Sequence, residues 1–220
     1  MTAQCLNGDC LELMKCLPDK SVDLFICDLP YGCLKGGGNA YKKGGAAYAS
    51  VGCAWDIKIN LTVFWAEVER LCSTANTPVL MYCNTKFGNE LINSNPSWFR
   101  YDIVWNKQSG TQFLHANTRP MSSHEMIYVF SKKAAFYNRI NVESRCPLSV
   151  IHFPLKRDKR HPTAKPVELL KWLIERYSNE GDTVLDPTAG SFNSGRAAVE
   201  LGRKYIGIEM DKDFFEKNKL

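Results

Sequence analysis

The sequence predicts an α/β fold with a doubly wound, mostly parallel sheet that contains an antiparallel strand. Short apolar runs alternate along the chain with segments of helical periodicity, which is typical of parallel strands joined by crossover helices. The runs at 101–105 and 125–130 have no helical segment between them, so they are expected to form the antiparallel part. With 220 residues the chain can bury one substantial core, and a single domain spanning 1–220 is expected.

The elements follow in chain order from local composition. Strand candidates are enriched in Val, Ile, Leu, Phe or Tyr and lie at 3–6, 22–27, 78–83, 101–105, 125–130, 183–186 and 205–209. Helical periodicity predicts helices at 9–16, 61–73, 86–92, 166–178, 194–201 and 211–218. Asn60 is suited to cap the helix at 61–73, and Pro166 suits a first helical turn.

The composition is that of a globular protein. Hydrophobic residues make up 45% of the chain and charged residues 23%. A cytoplasmic location is expected, because we find no uninterrupted apolar window of about 18 residues and no signal-peptide pattern at the N-terminus. The nine cysteines are odd in number and never spaced as CxxC, and the four histidines are far apart, so we predict neither a disulfide framework nor a metal site.

Two segments carry no clear pattern, and both are basic. The first, 31–55, holds seven glycines together with Lys35, Lys42 and Lys43, and the second, 138–165, holds "KRDKR" at 156–160. Long unpatterned segments inside a compact domain are usually functional or mobile. Cations mixed with aromatic or apolar residues suit a surface that contacts phosphates and bases. A solvated surface loop is the alternative for each segment.

A cofactor site is predicted in 181–211. This segment reads as a strand, a small-residue turn, a helix, a second strand and a terminal acid. Glu209 follows Gly190 by nineteen positions, which fits an acid that binds ribose hydroxyls. The turn has one glycine and is followed by Phe192, which suits pyrophosphate poorly and favours S-adenosylmethionine over NAD. A well-packed β-α-β unit without a ligand is the alternative.

The stretch "DLPYG" at 28–32 directly follows a predicted buried strand. An acid at the carboxyl end of a parallel strand is where open α/β sheets place their chemistry. Pro30 stiffens the backbone after Asp28, and the flat ring of Tyr31 can stack on another flat ring. We therefore treat 28–31 as a candidate catalytic segment.

These motifs together resemble the DNA amino-methyltransferases of the permuted, β-type order, the N6-adenine/N4-cytosine family. Nearly the whole chain is similar, through 6–32 with its D-L-P-Y, 105–133, 160–174 and 184–211 in that order. The resemblance implies a Rossmann-like class I methyltransferase domain over 1–220. It also implies S-adenosyl-L-methionine as cofactor and DNA as partner, with a homodimer as one arrangement that the family uses. The stretch 33–54 is then a Gly/Lys-rich loop, and 138–160 is a short candidate target-recognition segment.

The resemblance also implies roles for residues. Asp28 would accept a hydrogen from the target amine, the Leu29 carbonyl would accept the other, and Pro30 and Tyr31 would complete the motif, with Tyr31 stacking on a flipped base. The implied cofactor residues are Asp9, Lys165, Asp186, Thr188, Gly190 and Glu209. The basic residues expected at DNA are Lys35, Lys42, Lys43, Arg157, Lys159 and Arg160.

Two residues depart from the family pattern, and the substrate has alternatives. Leu29 replaces the usual first proline, and Phe192 replaces a usual glycine, so the Phe192 side chain must point away from the cofactor or narrow the pocket. Asp28 favours the N6 amine of adenine, because the cytosine-N4 members more often carry serine there. Cytosine N4, an RNA or protein amide acceptor, and a DNA-binding module without catalysis are the alternatives.

Overall fold

A computed structural model describes residues 2–32, 58–113, 116–140, 145–155 and 163–220. Its strands are β1 (Ala3–Asn7), β2 (Leu24–Cys27), β3 (Val79–Cys83), β4 (Phe99–Thr111), β5 (Ser122–Phe130), β6 (Val150–His152), β7 (Thr183–Asp186) and β8 (Lys204–Glu209). Its helices are α1 (Cys10–Lys15), α2 (Leu61–Leu71), α3 (Thr85–Ser94), α4 (Val167–Tyr177), α5 (Asn193–Glu200) and α6 (Lys212–Asn218). The described strands form one sheet.

The strand order of this sheet is β1-β8-β7-β2-β3-β5-β4-β6. Strand β5 runs antiparallel to both of its neighbours, β3 and β4, whereas the other described pairs are parallel. The predicted mostly parallel sheet with an antiparallel strand is therefore confirmed. The carboxyl ends of the parallel strands and the amino end of β5 consequently share one edge of the sheet.

Strand β6 is an addition to the predicted elements. It lies in the segment 138–165 that had no assigned structure, and its three residues pair with Val104, Trp105 and Asn106 of β4. Three residues are too few to show the alternation that marks a strand in the sequence. Strand β6 thus takes its place at the edge of the sheet by pairing in parallel with β4.

The sheet is covered on both faces. One core cluster packs α1, α2 and α3 against the sheet, and it contains Phe25 and Cys27 of β2. The other packs α4 and α5 against the opposite face, and it contains Leu24 and Ile26. Successive side chains of a strand point to opposite faces, so an all-apolar strand such as β2 supplies both clusters.

Two of the predicted helix starts can be compared with the structure. The side chain of Asn60 accepts hydrogen bonds from the backbone N–H groups of Thr62 and Val63, which confirms it as the N-cap of α2. Pro166 is itself the N-cap residue of α4, one position before the first helical turn, because its ψ of 136° is extended.

None of the described helices has the length and apolar character needed to cross a membrane.

Candidate active site

A cavity of about 670 Å³ opens at the shared edge of the sheet. Ligands of open α/β sheets bind outside the carboxyl ends of the strands, and this volume lies in the range of small-molecule sites. All the residues that the sequence predicts for catalysis and cofactor binding line this one cavity: Asp9, Asp28, Leu29, Pro30, Tyr31, Lys165, Asp186, Thr188, Gly190 and Glu209. The fold therefore brings together segments from both ends of the chain.

Glu209 closes the cavity at the end of β8. One carboxylate oxygen accepts the backbone N–H of Gly190 at 2.8 Å, and the other accepts the N–H of Asp211 at 2.8 Å. Burial raises the pKa of Glu209 above its ordinary value, although both hydrogen bonds favour the charged form. Gly190 has a φ of 49°, the left-handed conformation that glycine adopts without strain. Glu209 is thereby tied to the turn after β7.

Asp186 lies at the end of β7 and is buried. Its carboxylate accepts hydrogen bonds from the Ser194 hydroxyl and from the backbone N–H of Thr188. Burial raises the pKa of Asp186 to about 7, and the charges of Asp28 and Glu209 act in the same direction. The end of β7 therefore places in the cavity a carboxyl group whose pKa lies near neutrality.

Phe192 is accommodated without narrowing the cavity. Its side chain is fully buried in the core cluster beneath α5, where its ring lies 6.0 Å from that of Phe215. Its backbone has a φ of 54°, so the turn keeps a conformation that favours glycine. Phe192 therefore points away from the cavity, the first of the two outcomes expected from the sequence.

Asp28 lies just after β2 and also lines the cavity. Its Oδ1 accepts the hydroxyl of Tyr31 at 3.0 Å, and the Tyr31 ring stacks on Phe87 with centroids 4.9 Å apart. Burial and the charge of Asp28 raise the pKa of Tyr31 well above its ordinary value, so the hydroxyl remains a donor. The Leu29 side chain is buried in the core, although the residue also lines the cavity.

Lys165 contacts Asp28 directly. Its Nζ lies 2.7 Å from Asp28 Oδ2, 3.3 Å from Glu125 Oε2 and 4.9 Å from the centre of the Tyr82 ring. The cofactor role that the resemblance implied for Lys165 stays a prediction, and its ammonium group pairs with the carboxylate of the candidate catalytic segment. From the sequence, Glu125 had no predicted role in catalysis or cofactor binding.

Glu125 joins two lysines at the amino end of β5. Its Oε1 lies 3.4 Å from Lys107 Nζ, and its Oε2 faces Lys165. Burial acts to raise the pKa of Glu125, but the two lysines outweigh it and hold the pKa below its ordinary value. The sequence feature that could have indicated Glu125 is its position, since it is a charged residue directly before the apolar run "MIYVF".

Asp9 begins α1 beside the cavity. Its Oδ1 accepts the backbone N–H groups of Leu11 at 2.8 Å and Glu12 at 3.1 Å, which is the geometry of a helix N-cap. Gly8, which the sequence did not indicate, also lines the cavity, and its N–H binds the Glu209 carbonyl at 3.1 Å. The loop after β1 therefore borders the same pocket as Glu209.

The cavity also contains polar atoms suited to a polar ligand. Thr188 Oγ1 and Tyr82 Oη are buried, and neither has a hydrogen-bond partner in the part of the chain that the structure describes. Buried hydroxyl groups normally have a hydrogen-bond partner, so a polar ligand in the cavity would supply the missing hydrogen bonds. These residues and the Asp186 and Glu209 carboxylates fit the polar groups of S-adenosylmethionine.

The basic residues expected at DNA all lie in two segments outside the described part of the chain. Lys35, Lys42 and Lys43, and likewise Arg157, Lys159 and Arg160, lie outside the described residues. The loop 33–54 lies wholly outside them, and 138–160 does so in part.

The fold is that of solved DNA methyltransferases. The crystal structure of M1.HpyAVI in complex with SAM superposes with a TM-score of 0.71 at 24% identity, covering 99% of this chain and 98% of that chain. The cytosine-N4-specific PvuII DNA methyltransferase superposes with a TM-score of 0.75 at 16% identity, covering 99% of this chain and 85% of that chain. The fold and the cavity thus define the class I methyltransferase architecture, with the permuted element order expected from the sequence.

Sequence comparison then assigns the family. A profile described as DNA methylase matches residues 22–219. The DNA adenine methyltransferase YhdJ of Escherichia coli (strain K12) is 31% identical over 258 residues, 96% of this chain and 79% of YhdJ. The type II methyltransferase M.HinfI of Haemophilus influenzae is 28% identical over 237 residues, 96% of this chain and 66% of M.HinfI, slightly under two thirds of its length. This chain belongs to the N6-adenine/N4-cytosine DNA methyltransferase family.

Proposed function

We propose that this protein transfers a methyl group from S-adenosylmethionine to the N6 amine of adenine in DNA. The observation that carries the proposal is the single cavity shared by Asp28 and the pair Asp186 and Glu209. The first is suited to an exocyclic amine, and the second to a nucleoside cofactor. S-adenosylmethionine, when bound, supplies an electrophilic methyl group on its sulfonium.

On the base side, Asp28 accepts one hydrogen of the target amine and the main-chain carbonyl of Leu29 accepts the other. These two contacts turn the nitrogen lone pair toward the methyl group, so the chain contributes positioning and electrostatic stabilisation. Pro30 restricts the backbone between the carbonyl and the ring. Tyr31, stacked on Phe87, provides an aromatic surface for a base that has left the duplex.

On the cofactor side, Glu209 binds the ribose hydroxyls at the end of β8. Asp186, Thr188 and Gly190 surround the methionine end, where the Thr188 hydroxyl, which has no hydrogen-bond partner among the described residues, supports a polar contact. Asp9 borders the adenine through the loop after β1. Lys165 belongs with the base side in this proposal, because its ammonium pairs with Asp28.

Adenine is favoured over cytosine because the residue at position 28 is aspartate, and because the relative YhdJ is named an adenine methyltransferase. DNA is the proposed partner, with the basic segments 33–54 and 138–160 contacting phosphates and bases. A homodimer remains a prediction. Light scattering on the purified chain tests it by measuring the molar mass in solution.

The test is to incubate the protein with DNA, RNA and protein acceptors and a cofactor that carries a deuterated methyl group. DNA is then digested to nucleosides and analysed by mass spectrometry. Labelled N6-methyl-2′-deoxyadenosine, from DNA alone, is the expected product. Labelled N4-methylcytosine without the adenine product would contradict the proposed base, and transfer to RNA or protein alone would contradict the proposed substrate.

A further inference from the structure

Glu125 is shared by two lysines, one buried and one largely buried, at the base side of the cavity. Its Oε1 lies 3.4 Å from Lys107 Nζ and its Oε2 lies 3.3 Å from Lys165 Nζ. The side chains of the two lysines are only 3% and 12% exposed. Removing charges from water is unfavourable, and a buried pair is weak support for stability alone. The arrangement therefore points to a role in the site.

Lys165 is held from three sides. Asp28 Oδ2 lies 2.7 Å from its Nζ, Glu125 binds it from β5, and the Tyr82 ring of β3 lies 4.9 Å away. Its backbone carbonyl accepts a hydrogen bond from Asn193 at the start of α5, at 2.9 Å. With the backbone tied down, the two carboxylates and the ring determine where the ammonium group lies.

The position of Lys165 determines how Asp28 is oriented. Lys165 donates to Oδ2 and Tyr31 donates to Oδ1, so the plane of the carboxylate is held from both oxygens. Each carboxylate oxygen can accept two hydrogen bonds, which leaves acceptor capacity for an amine. A displacement of about 1 Å in a positioned group can lower a rate by about 10²-fold.

We propose that Glu125 is a positioning residue for methyl transfer: it acts through Lys165 to hold the Asp28 carboxylate in the orientation that accepts a hydrogen of the target amine. The inference rests on the function proposed above. It adds to that function a carboxylate from the antiparallel strand, which contacts the same Lys165 ammonium group as Asp28.

The experiment compares Glu125→Gln with Glu69→Gln. Glu69 is a matched control, because it also forms a Glu–Lys pair, with Lys132 at 2.6 Å, but both side chains are more than half exposed. For E125Q we expect kcat at least about ten-fold lower, since misplacing a positioned group slows the chemical step. The KM for S-adenosylmethionine should stay within about two-fold, because a positioning group acts on the chemical step more than on binding. For E69Q both constants should equal those of the wild type.

A pH profile separates positioning from packing. Burial acts to lower the pKa of Lys165, but the Asp28 and Glu125 carboxylates outweigh it and raise the pKa above its ordinary value. The Tyr82 ring also lies next to Lys165, and Lys107 contacts the same Glu125 carboxylate that Lys165 contacts. Glutamine removes one of the two raising charges, so Lys165 should lose its proton at lower pH. The alkaline limb of kcat should therefore move to lower pH in E125Q and stay in place in E69Q.

A second variant distinguishes a loss of positioning from a loss of folding as the cause of a lower kcat. Glu125→Asp keeps the charge but is one methylene shorter, and it should give a kcat between those of the wild type and E125Q. An active wild type with E125Q and E125D indistinguishable from E69Q would overturn the role of Glu125 alone. A wild type that transfers no methyl group to DNA would overturn the proposed function itself.

Discussion

Lys165 Nζ lies 2.7 Å from Asp28 Oδ2, although 137 positions separate the two residues in the chain. The pair joins the loop after β2 to the segment before α4 across the cavity. Its side chains are 12% and 29% exposed, so salt screens it less than a surface pair. The candidate catalytic carboxylate thus depends on a distant part of the chain.

Asp28→Ala should lower methyl transfer by about 10²- to 10³-fold, a typical loss when one electrostatic contact to the reacting group is removed. The dissociation constant of S-adenosylmethionine, measured by calorimetry, should stay within a few-fold because Asp28 acts on the amine. Asp102→Ala is the control, since Asp102 is an exposed acid on β4. Turnover of D28A within a few-fold of the wild type would exclude the assigned role.

Tyr31→Phe and Tyr31→Ala should separate the hydroxyl from the ring. The phenylalanine variant loses the 3.0 Å bond to Asp28 but keeps the stacking on Phe87, so kcat should fall while the KM for DNA changes little. The alanine variant loses the ring as well, and the KM should rise about five-fold or more, because stacking contributes about 1–3 kcal/mol per base. Steady-state kinetics on one oligonucleotide measures both. An unchanged KM for Y31A would remove the ring from the base contact.

Asp186 should make the cofactor-free protein less stable as the pH rises. Its folded pKa of about 7 is above the ordinary value of 3.8, so its contribution is fully present below about pH 4 and is lost as the pH rises through 7. Asparagine cannot ionise. The free energy of unfolding of D186N, relative to the wild type, should therefore increase between pH 5 and pH 8. Denaturant titrations at both pH values measure it, and a constant difference would contradict the buried titration.

Replacing Lys42 and Lys43 by glutamine should weaken DNA binding and flatten its salt dependence. Each phosphate contact contributes about 0.9 to the slope of log K against log salt, so the double variant should lose up to about two units of slope. The control is the pair Lys20 and Lys204, exposed residues that precede β2 and begin β8 at the opposite edge of the sheet. An unchanged slope for the Lys42 and Lys43 variant would remove that loop from the interface.

Phe192→Gly should destabilise the protein although it relieves the left-handed backbone. Losing a fully buried aromatic ring costs about 3–5 kcal/mol. Relief of the backbone conformation returns about 1–2 kcal/mol, so a net loss of unfolding free energy is expected in thermal or denaturant unfolding. Binding of S-adenosylmethionine by the folded fraction should stay close to that of the wild type, because the ring points into the core. Tighter binding by F192G would show that the ring narrows the cavity.

The strands and the helix starts were predictable because they depend on neighbouring residues. The apolar run of β2 and the cap of α2 at Asn60 each follow from side chains within a few positions. Strand β6 was not predictable, since its three residues have no pattern of their own and are ordered by Val104 and its neighbours. The position of β6 depends on pairing with β4, a strand distant in the sequence, and residue patterns within β6 do not reveal that pairing.

The sequence by itself predicted the family through its resemblance, and it indicated the candidate cofactor turn with Gly190 and Glu209 and the candidate catalytic segment at 28–31. The segment at 28–31 is continuous, and Gly190 and Glu209 belong to one β-α-β stretch of the chain, so local sequence patterns were enough to indicate both. Only the tertiary structure decided that Lys165 pairs with Asp28 and that Glu125 joins them. The physical reason is the direction of β5: because it runs antiparallel to its neighbours, its amino end, which carries Glu125, reaches the edge where the parallel strands end.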